Sequence, residues 1–346
     1  MTKITIGLIG IGDIVSSHLS ALKANPEYEL IAICDHSAEK LKIQTANLGV
    51  DGYTDYRDML AKKPDVVLIG LPHNLHYPVA LEALEAGCHV LMEKPVVISM
   101  EEANGLIAAA DKANKIVIPT ESSYWLPIYR TARKIVESGK LGKLLFGNII
   151  NHRYYFVDSR PDWFLKNKTS GGGQFMNIGM HRMAAIRCIL GDDYKEKLVT
   201  ASVHRIHKDR DIEAATKAMV MYEGGAAITY EECGYFKPPP ELQKVLHFVF
   251  EHGMLGVTDS RVWTSDKNGD VTDYPLLPNP EGGPYGALYG QMLEAIRGNP
   301  HYPTLNHGVA DIRTALAAYA SAEKQDIVNL SNTEWLIDKE CQDKKI

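Results

Sequence analysis

Short β-branched runs alternate with amphipathic stretches through the first third of the chain. Two closely spaced glycines follow the first run, and period-two runs take over after residue 120. These observations predict an α/β protein with an N-terminal doubly wound parallel sheet and its crossover helices. A C-terminal α+β domain follows, built on a large, mostly antiparallel, open-faced sheet. The expected domains are 1–122 and 123–346, consistent with the prior of about two domains for 346 residues.

In the first domain, strands are expected over 4–10, 29–34, 50–53, 65–71, 89–92 and 116–119, with helices such as 14–24, 78–86 and 100–114. The unbroken apolar run Val66-Val67-Leu68-Ile69 suits a parallel strand buried on both faces. The first turn reads Gly10-Ile11-Gly12-Asp13-Ile14-Val15. Gly10 permits a tight turn, and Gly12 lets backbone N–H groups approach a pyrophosphate at a helix N-terminus. Val15 stands where that pattern expects Gly or Ala, which predicts looser packing of helix on strand. Asp35 lies 23 residues beyond Gly12 at the next strand end, where a carboxylate can accept from adenosine ribose hydroxyls. It would repel a 2′-phosphate, so NAD is favoured over NADP; the alternative reading is a turn or helix-cap aspartate. The fourth strand ends Leu71-Pro72-His73-Asn74-Leu75-His76. His73 is read as a capping or solvent-exposed residue, and His76 as bordering the ligand edge of the sheet.

Glu93-Lys94-Pro95 closes the run His89-Val90-Leu91-Met92. Proline restrains its own φ and biases Lys94 to an extended conformation, so one ammonium group is aimed at the carboxyl edge of the sheet, where open α/β sheets bind ligands. The alternative is a surface lysine at an ordinary turn.

In the second domain, a helix is expected over 124–140 and strands over 144–156, 199–207, 217–222, 226–232 and 245–251, with Glu223-Gly224-Gly225 as a hairpin signal. Pro238-Pro239-Pro240 and the stretch 278–284 read as loops, and 288–297 and 309–324 as closing helices. Gly171-Gly172-Gly173 precedes a helical pattern over 174–190, on which Asn177 and His181 are four residues apart on one face. Three glycines allow close backbone approach or hinge motion. His181 reads equally as a core histidine or a proton acceptor. Arg160, Trp163 and Lys166 in the loop 157–170 are candidate substrate contacts, since an aromatic flanked by hydrogen-bonding side chains suits a polyhydroxyl ligand; a plain surface connection is the alternative.

Net charge of −6 argues against a nucleic-acid partner. The five scattered cysteines form no C-x-x-C pair, which predicts reduced thiols, a cytoplasmic location and no structural zinc. No apolar stretch approaches the roughly 20 residues of a membrane span.

Taken in order, these residues resemble the glucose–fructose oxidoreductase, inositol dehydrogenase and rhizopine-catabolism family (Gfo/Idh/MocA). The resemblance is carried by Gly10-x-Gly12 with Ile14, by Asp35, by Pro72 with His76, and by Ala86-Gly87-Cys88-His89-Val90-Leu91-Met92-Glu93-Lys94-Pro95. It continues in Gly171-Gly172-Gly173 with Gly179-Met180-His181, and in the tail over 308–330 containing Tyr319-Ala320-Ser321-Ala322-Glu323. It implies a Rossmann domain holding NAD(P), and oxidation or reduction at a sugar or polyol carbon. The implied cofactor contacts are Gly10, Gly12, Asp13, Ile14, Asp35, Leu71, Pro72, His76, Glu93 and Lys94. Glu93 by its own chemistry reads as a structural carboxylate. The implied substrate contacts are Lys94, Tyr124, Arg160, Trp163, Lys166, Asn177 and His181. Lys94 would hold the substrate hydroxyl, and His181, starting near neutrality, would accept its proton. Asn177 stands where the family commonly has Asp; it takes no proton but can orient a hydroxyl. The competing functions are a redox-assisted lyase or glycosidase that recycles NAD, and a non-catalytic NAD-binding regulator. A homodimer or homotetramer through the C-terminal sheet is expected, with no metal.

Overall fold

The computed structural model describes residues 3–155, 160–239 and 243–336. Phe156, the stretch 157–159, Pro240 and Cys341, which figure in the expectations above, lie outside the described residues.

The chain passes three times between two units: Met1–Trp125 with Asn279–Val309, and Leu126–Pro278 with Ala310–Ile346. The first begins with β1 (Ile4–Ile9), α1 (Val15–Ala24), β2 (Tyr28–Cys34), α2 (Ala38–Leu48), β3 (Asp51–Tyr53) and α3 (Tyr56–Leu60). It continues with β4 (Val66–Ile69), α4 (His76–Glu85), β5 (His89–Met92), α5 (Met100–Ala113) and β6 (Val117–Pro119). The six strands are parallel in the order β3-β2-β1-β4-β5-β6, so the chain reverses direction across the sheet between β1 and β4. That reversal opens a crevice at the carboxyl ends of the strands. The strands β1 and β4 are almost entirely buried, as continuous apolar runs require. Val15 lies in the same core at 3% exposure, in one cluster with Ile6, Leu8 and Ile33.

Three differences from the sequence reading stand out. The expected helix over 124–140 begins later: Tyr124 sits in a tight turn over Ser122–Trp125, and α6 spans Pro127–Glu137. Pro127 is at a first-turn position, and the residue before it, Leu126, is extended at φ −66° and ψ 131°. Proline there starts a helix and forbids its continuation backwards. Secondly, His73 is buried, with its ring 5.7 Å from that of His76, and is not the exposed residue expected. Thirdly, Asn279–Val309, expected in the second domain, belongs to the first unit. Its helix α9 (Gly283–Ile296) packs on α1 and sends Tyr289, Met292 and Leu293 into the core.

In the second unit β7 (Leu144–His152) is followed by the short α7 (Asn167–Ser170) and by α8 (Met180–Leu190). The strands β8 (Glu196–His204), β9 (Ala215–Tyr222), β10 (Ala227–Cys233), β11 (Lys244–Phe250), β12 (Gly253–Val257), β13 (Val262–Ser265) and β14 (Val271–Tyr274) follow. After α9 (Gly283–Ile296) come α10 (Leu305–Lys324) and β15 (Val328–Asn329). The nine-stranded sheet runs β14-β13-β12-β11-β7-β10-β9-β8-β15. Its neighbours are antiparallel except β7 and β10, which run parallel. Ile228 and Tyr230 lie on the buried face, where Phe175 meets Tyr230 edge-to-face at 6.1 Å.

Candidate functional site

In the first unit the candidate residues gather at the carboxyl edge of the parallel sheet. Gly10 has φ +94°, and a Cβ there would lie 2.3 Å from the carbonyl oxygen of Gly70; glycine is the residue that this turn admits. Gly12 differs: a Cβ there would meet nothing within 4 Å. No protein packing demands glycine at that position, so the space its hydrogen leaves is open to a ligand. The helix that follows has no side-chain cap and no acidic residue in its first turn, which leaves its positive end to an anion. Asp13 is exposed, and Ile14 is half-buried at the start of α1.

Asp35 closes the second side of the turn. Its Oδ2 accepts from the Ile11 N–H at 2.8 Å, and its Oδ1 accepts from the Ser37 N–H at 2.9 Å. The second bond is an Asx-type turn, and each oxygen keeps a lone pair for a hydroxyl donor. The turn reading of this residue is thus the one that its hydrogen bonds show. The neighbouring His36 side chain is 95% exposed and forms no part of a walled site.

Leu71 and Pro72 follow β4 half-buried. His76 is fully buried, and its two ring nitrogens lie 2.8 Å from the carbonyls of Pro95 and Leu71. Burial holds its imidazole pKa below the usual value, against the pull of both carbonyls. Expected as a cofactor contact, His76 instead ties the end of β4 to the residue after Lys94. Glu93 is turned inward, with Oε1 accepting from Thr120 Oγ1 at 2.6 Å and lying 2.9 Å from His18 Nε2. Lys94 leaves the strand half-buried. Tyr124 is buried edge-to-face on Tyr302 at 4.7 Å and belongs to this first unit.

The second unit holds the other candidates. The pattern over 174–190 is not one regular helix: Phe175–Gly179 forms a wide π-turn that leads into α8. Asn177 lies inside the wide turn and His181 in α8, so the simple four-residue spacing does not describe their facing. Such turns recur at functional sites because the extra residue re-aims a side chain. Asn177 is buried, and His181 is half-buried.

The start of this segment is clamped. Glu213 accepts from the N–H groups of Gly173 at 2.5 Å and Phe175 at 2.8 Å, and from the Tyr319 hydroxyl at 2.8 Å. The Met176 N–H donates to the same hydroxyl at 3.1 Å. A Cβ on Gly173 would lie 1.9 Å from the Glu213 carbonyl oxygen, so of the two roles expected for the three glycines the structure shows close approach. Burial pushes the Glu213 carboxyl up despite these donors. The sequence reading missed Glu213, and no local pattern marks it. It also missed Glu232, which is buried beside Asn151 and Gln174 and whose pKa is raised by burial to about 7.

The loop residues find partners nearby. Arg160 stacks over the Tyr155 ring at 4.2 Å and donates to the Tyr155 carbonyl at 3.2 Å. Trp163 packs edge-to-face on Phe164 at 5.2 Å, within a small cluster that includes Ile212. Lys166 is exposed, 3.7 Å from Asp162.

Two family models match the chain in succession. One describes the NAD-binding Rossmann fold of an oxidoreductase family over residues 4–121. The other is the C-terminal domain of the same family over residues 129–256. The chain belongs to the GFO/IDH/MocA oxidoreductase family. Among named relatives, this GFO/IDH/MocA chain is 30% identical over 233 residues to the 1-carboxy-3-chloro-3,4-dihydroxycyclohexa-1,5-diene dehydrogenase of Comamonas testosteroni, covering 66% of this chain and 58% of that protein. It is 32% identical over 197 residues to D-glucoside 3-dehydrogenase of Escherichia coli K12, covering 55% of each. The chain thus spans little more than half the length of these two relatives. The crystal structure of aldose-aldose oxidoreductase from Caulobacter crescentus complexed with glycerol shares the fold, with TM-score 0.84 and 21% identity over 95% of this chain and all of that one.

Proposed function

We propose that this GFO/IDH/MocA protein is an NAD-dependent oxidoreductase that moves a hydride between the nicotinamide and a secondary hydroxyl or ketone of a sugar, polyol or inositol-like substrate. The observation that carries the reading is the carboxyl edge of the parallel sheet, where the open space at Gly12, the carboxylate of Asp35 at the end of β2 and the half-buried Lys94 at the end of β5 belong to one unit. Gly10, Gly12, Asp13 and Ile14 would receive the pyrophosphate on backbone N–H groups. Asp35 would accept from ribose hydroxyls and repel a 2′-phosphate, which favours NAD over NADP. Leu71 and Pro72 would complete that wall, with Glu93 buried behind it.

Bound NAD supplies or receives the hydride. The chain's own residues position the carbon and manage the proton. Lys94 holds and polarises the substrate oxygen. His181 accepts the hydroxyl proton in the oxidation direction, and Asn177 orients that hydroxyl by hydrogen bonding. Tyr124, Arg160, Trp163 and Lys166 are the further candidates for substrate contact. The relatives named as dehydrogenases of a dihydroxycyclohexadiene and of a glucoside support a ring-hydroxyl substrate.

A screen of NADH formation across sugars, inositols, sugar phosphates and sugar acids, run with NAD and with NADP, tests the reading. With an active substrate, Lys94→Ala and His181→Ala should each lower kcat by about 10²- to 10⁴-fold while NADH binding persists. Near-normal turnover in both variants would overturn these roles. Product formed without net NADH would instead identify an NAD-recycling lyase.

A further inference from the structure

Glu93 has more support than a turn requires. Its side chain is buried, and Oε1 is held by Thr120 and His18 while Oε2 meets the Lys94 N–H at 3.3 Å. Behind it, His18 is fully buried in α1 with Nδ1 3.1 Å from the Tyr289 hydroxyl. With Nε2–H donating to Glu93, Nδ1 accepts from the Tyr289 O–H, so both ring nitrogens of His18 are matched. The rings of Tyr285 and Tyr289 meet that of His18 edge-to-face at 4.7 and 5.9 Å. Burial pushes the Glu93 carboxyl up, but His18, Thr120 and the nearby Lys94 charge outweigh it and hold its pKa below the usual value. Charged and titratable groups face Glu93 from every side: His18 on α1, Tyr285 and Tyr289 on α9, His76 on α4 and Lys94 beside it.

We propose that the chain Tyr289–His18–Glu93 maintains one ionised carboxylate at the exit of β5, and that this fixed charge makes the site prefer the oxidised, cationic nicotinamide to the reduced, neutral one. The proposal rests on the reading that the first unit binds NAD. A unit charge in a partly water-excluded site attracts a cationic ring and is nearly indifferent to a neutral one. His18 and Tyr289 are positioning residues here: they act through Glu93. Thr120 contributes the second donor.

The test is the pair of dissociation constants for NAD⁺ and NADH, measured by titration calorimetry on the full chain. Glu93→Gln should weaken NAD⁺ by about tenfold or more and NADH by less than about threefold. Glu93→Asp, which keeps the charge, should restore most of the difference. His18→Leu removes one donor and leaves Thr120 and the Lys94 N–H, so its ratio should shift toward that of Glu93→Gln near pH 6 and approach the wild-type ratio near pH 9, where the carboxylate is fully charged. A structural role alone predicts equal weakening of both forms and no pH dependence, and either result overturns the proposal. Should Glu93→Gln not fold, Thr120→Val removes one donor and should shift the ratio in the same direction near pH 6 but not near pH 9; an unshifted ratio at both overturns the proposal. A wild-type chain that binds neither form defeats the NAD reading, and with it this one; binding of both with an unchanged ratio in the variants defeats this one alone.

Discussion

Glu93 and Lys94 leave β5 as neighbours and differ in burial. Glu93 enters a buried hydrogen-bonded chain, and Lys94 remains half-exposed at the sheet edge. The sequence shows both charges but not that Glu93 is buried, because its partners His18 and Thr120 lie 75 and 27 residues away. Glu232 is the residue-scale counterpart in the second unit. Burial raises its pKa from 4.5 to about 7, against Arg182, Asn151, Gln174 and Arg153. In that window the folded state binds a proton that the unfolded chain has released, so stability contributed by this group is present below about pH 4.5 and is lost as pH rises through about 7. Chemical denaturation from pH 5 to 8 should therefore show a falling contribution that Glu232→Gln removes. An unchanged slope in the variant would mean that Glu232 titrates normally.

At the scale of elements, the segment over 171–190 does most to place candidate side chains. Its glycine turn is held against the Glu213 backbone, and its wide π-turn sets the facing of Asn177. Gly173→Ala would drive a methyl to 1.9 Å from the Glu213 carbonyl oxygen, a backbone contact that cannot swing away. We expect a loss of about 1–3 kcal/mol of stability, the range for overpacking, together with lower kcat. Thermal melts and steady-state rates check it; wild-type values in both would show that the turn yields freely. Periodicity found this segment but not its wide turn, since one extra residue per turn leaves an apolar pattern helix-like over so short a span. Tyr124 shows the opposite case: Pro127 in the sequence already marked where the helix had to begin.

At the scale of the molecule, the nine-stranded sheet has one buried face and one facing away from it. On the latter, Met221, Ala227, Phe146, Val249 and Met254 are successive cross-strand neighbours, and Phe146 is 47% exposed. A contiguous apolar row of this kind is the expected surface of a homodimer or homotetramer. Phe146→Glu should shift sedimentation toward a smaller species while NADH binding persists. A wild-type chain that sediments as a monomer at micromolar concentration counts against assembly altogether.

Strand alternation, the glycine turn, Asp35 and the Glu-Lys-Pro exit were legible because each depends on residues close together in the chain: pleat period, φ of glycine and proline, and charge at a strand end. They were enough to read a parallel sheet with a dinucleotide turn followed by a second sheet. The partners of His18, the clamp of Glu213 on Gly173 and the return of Asn279–Val309 to the first unit were not legible. Each joins residues from about 40 to more than 270 positions apart, and such contacts are selected by the packing of whole elements, which no local spacing encodes.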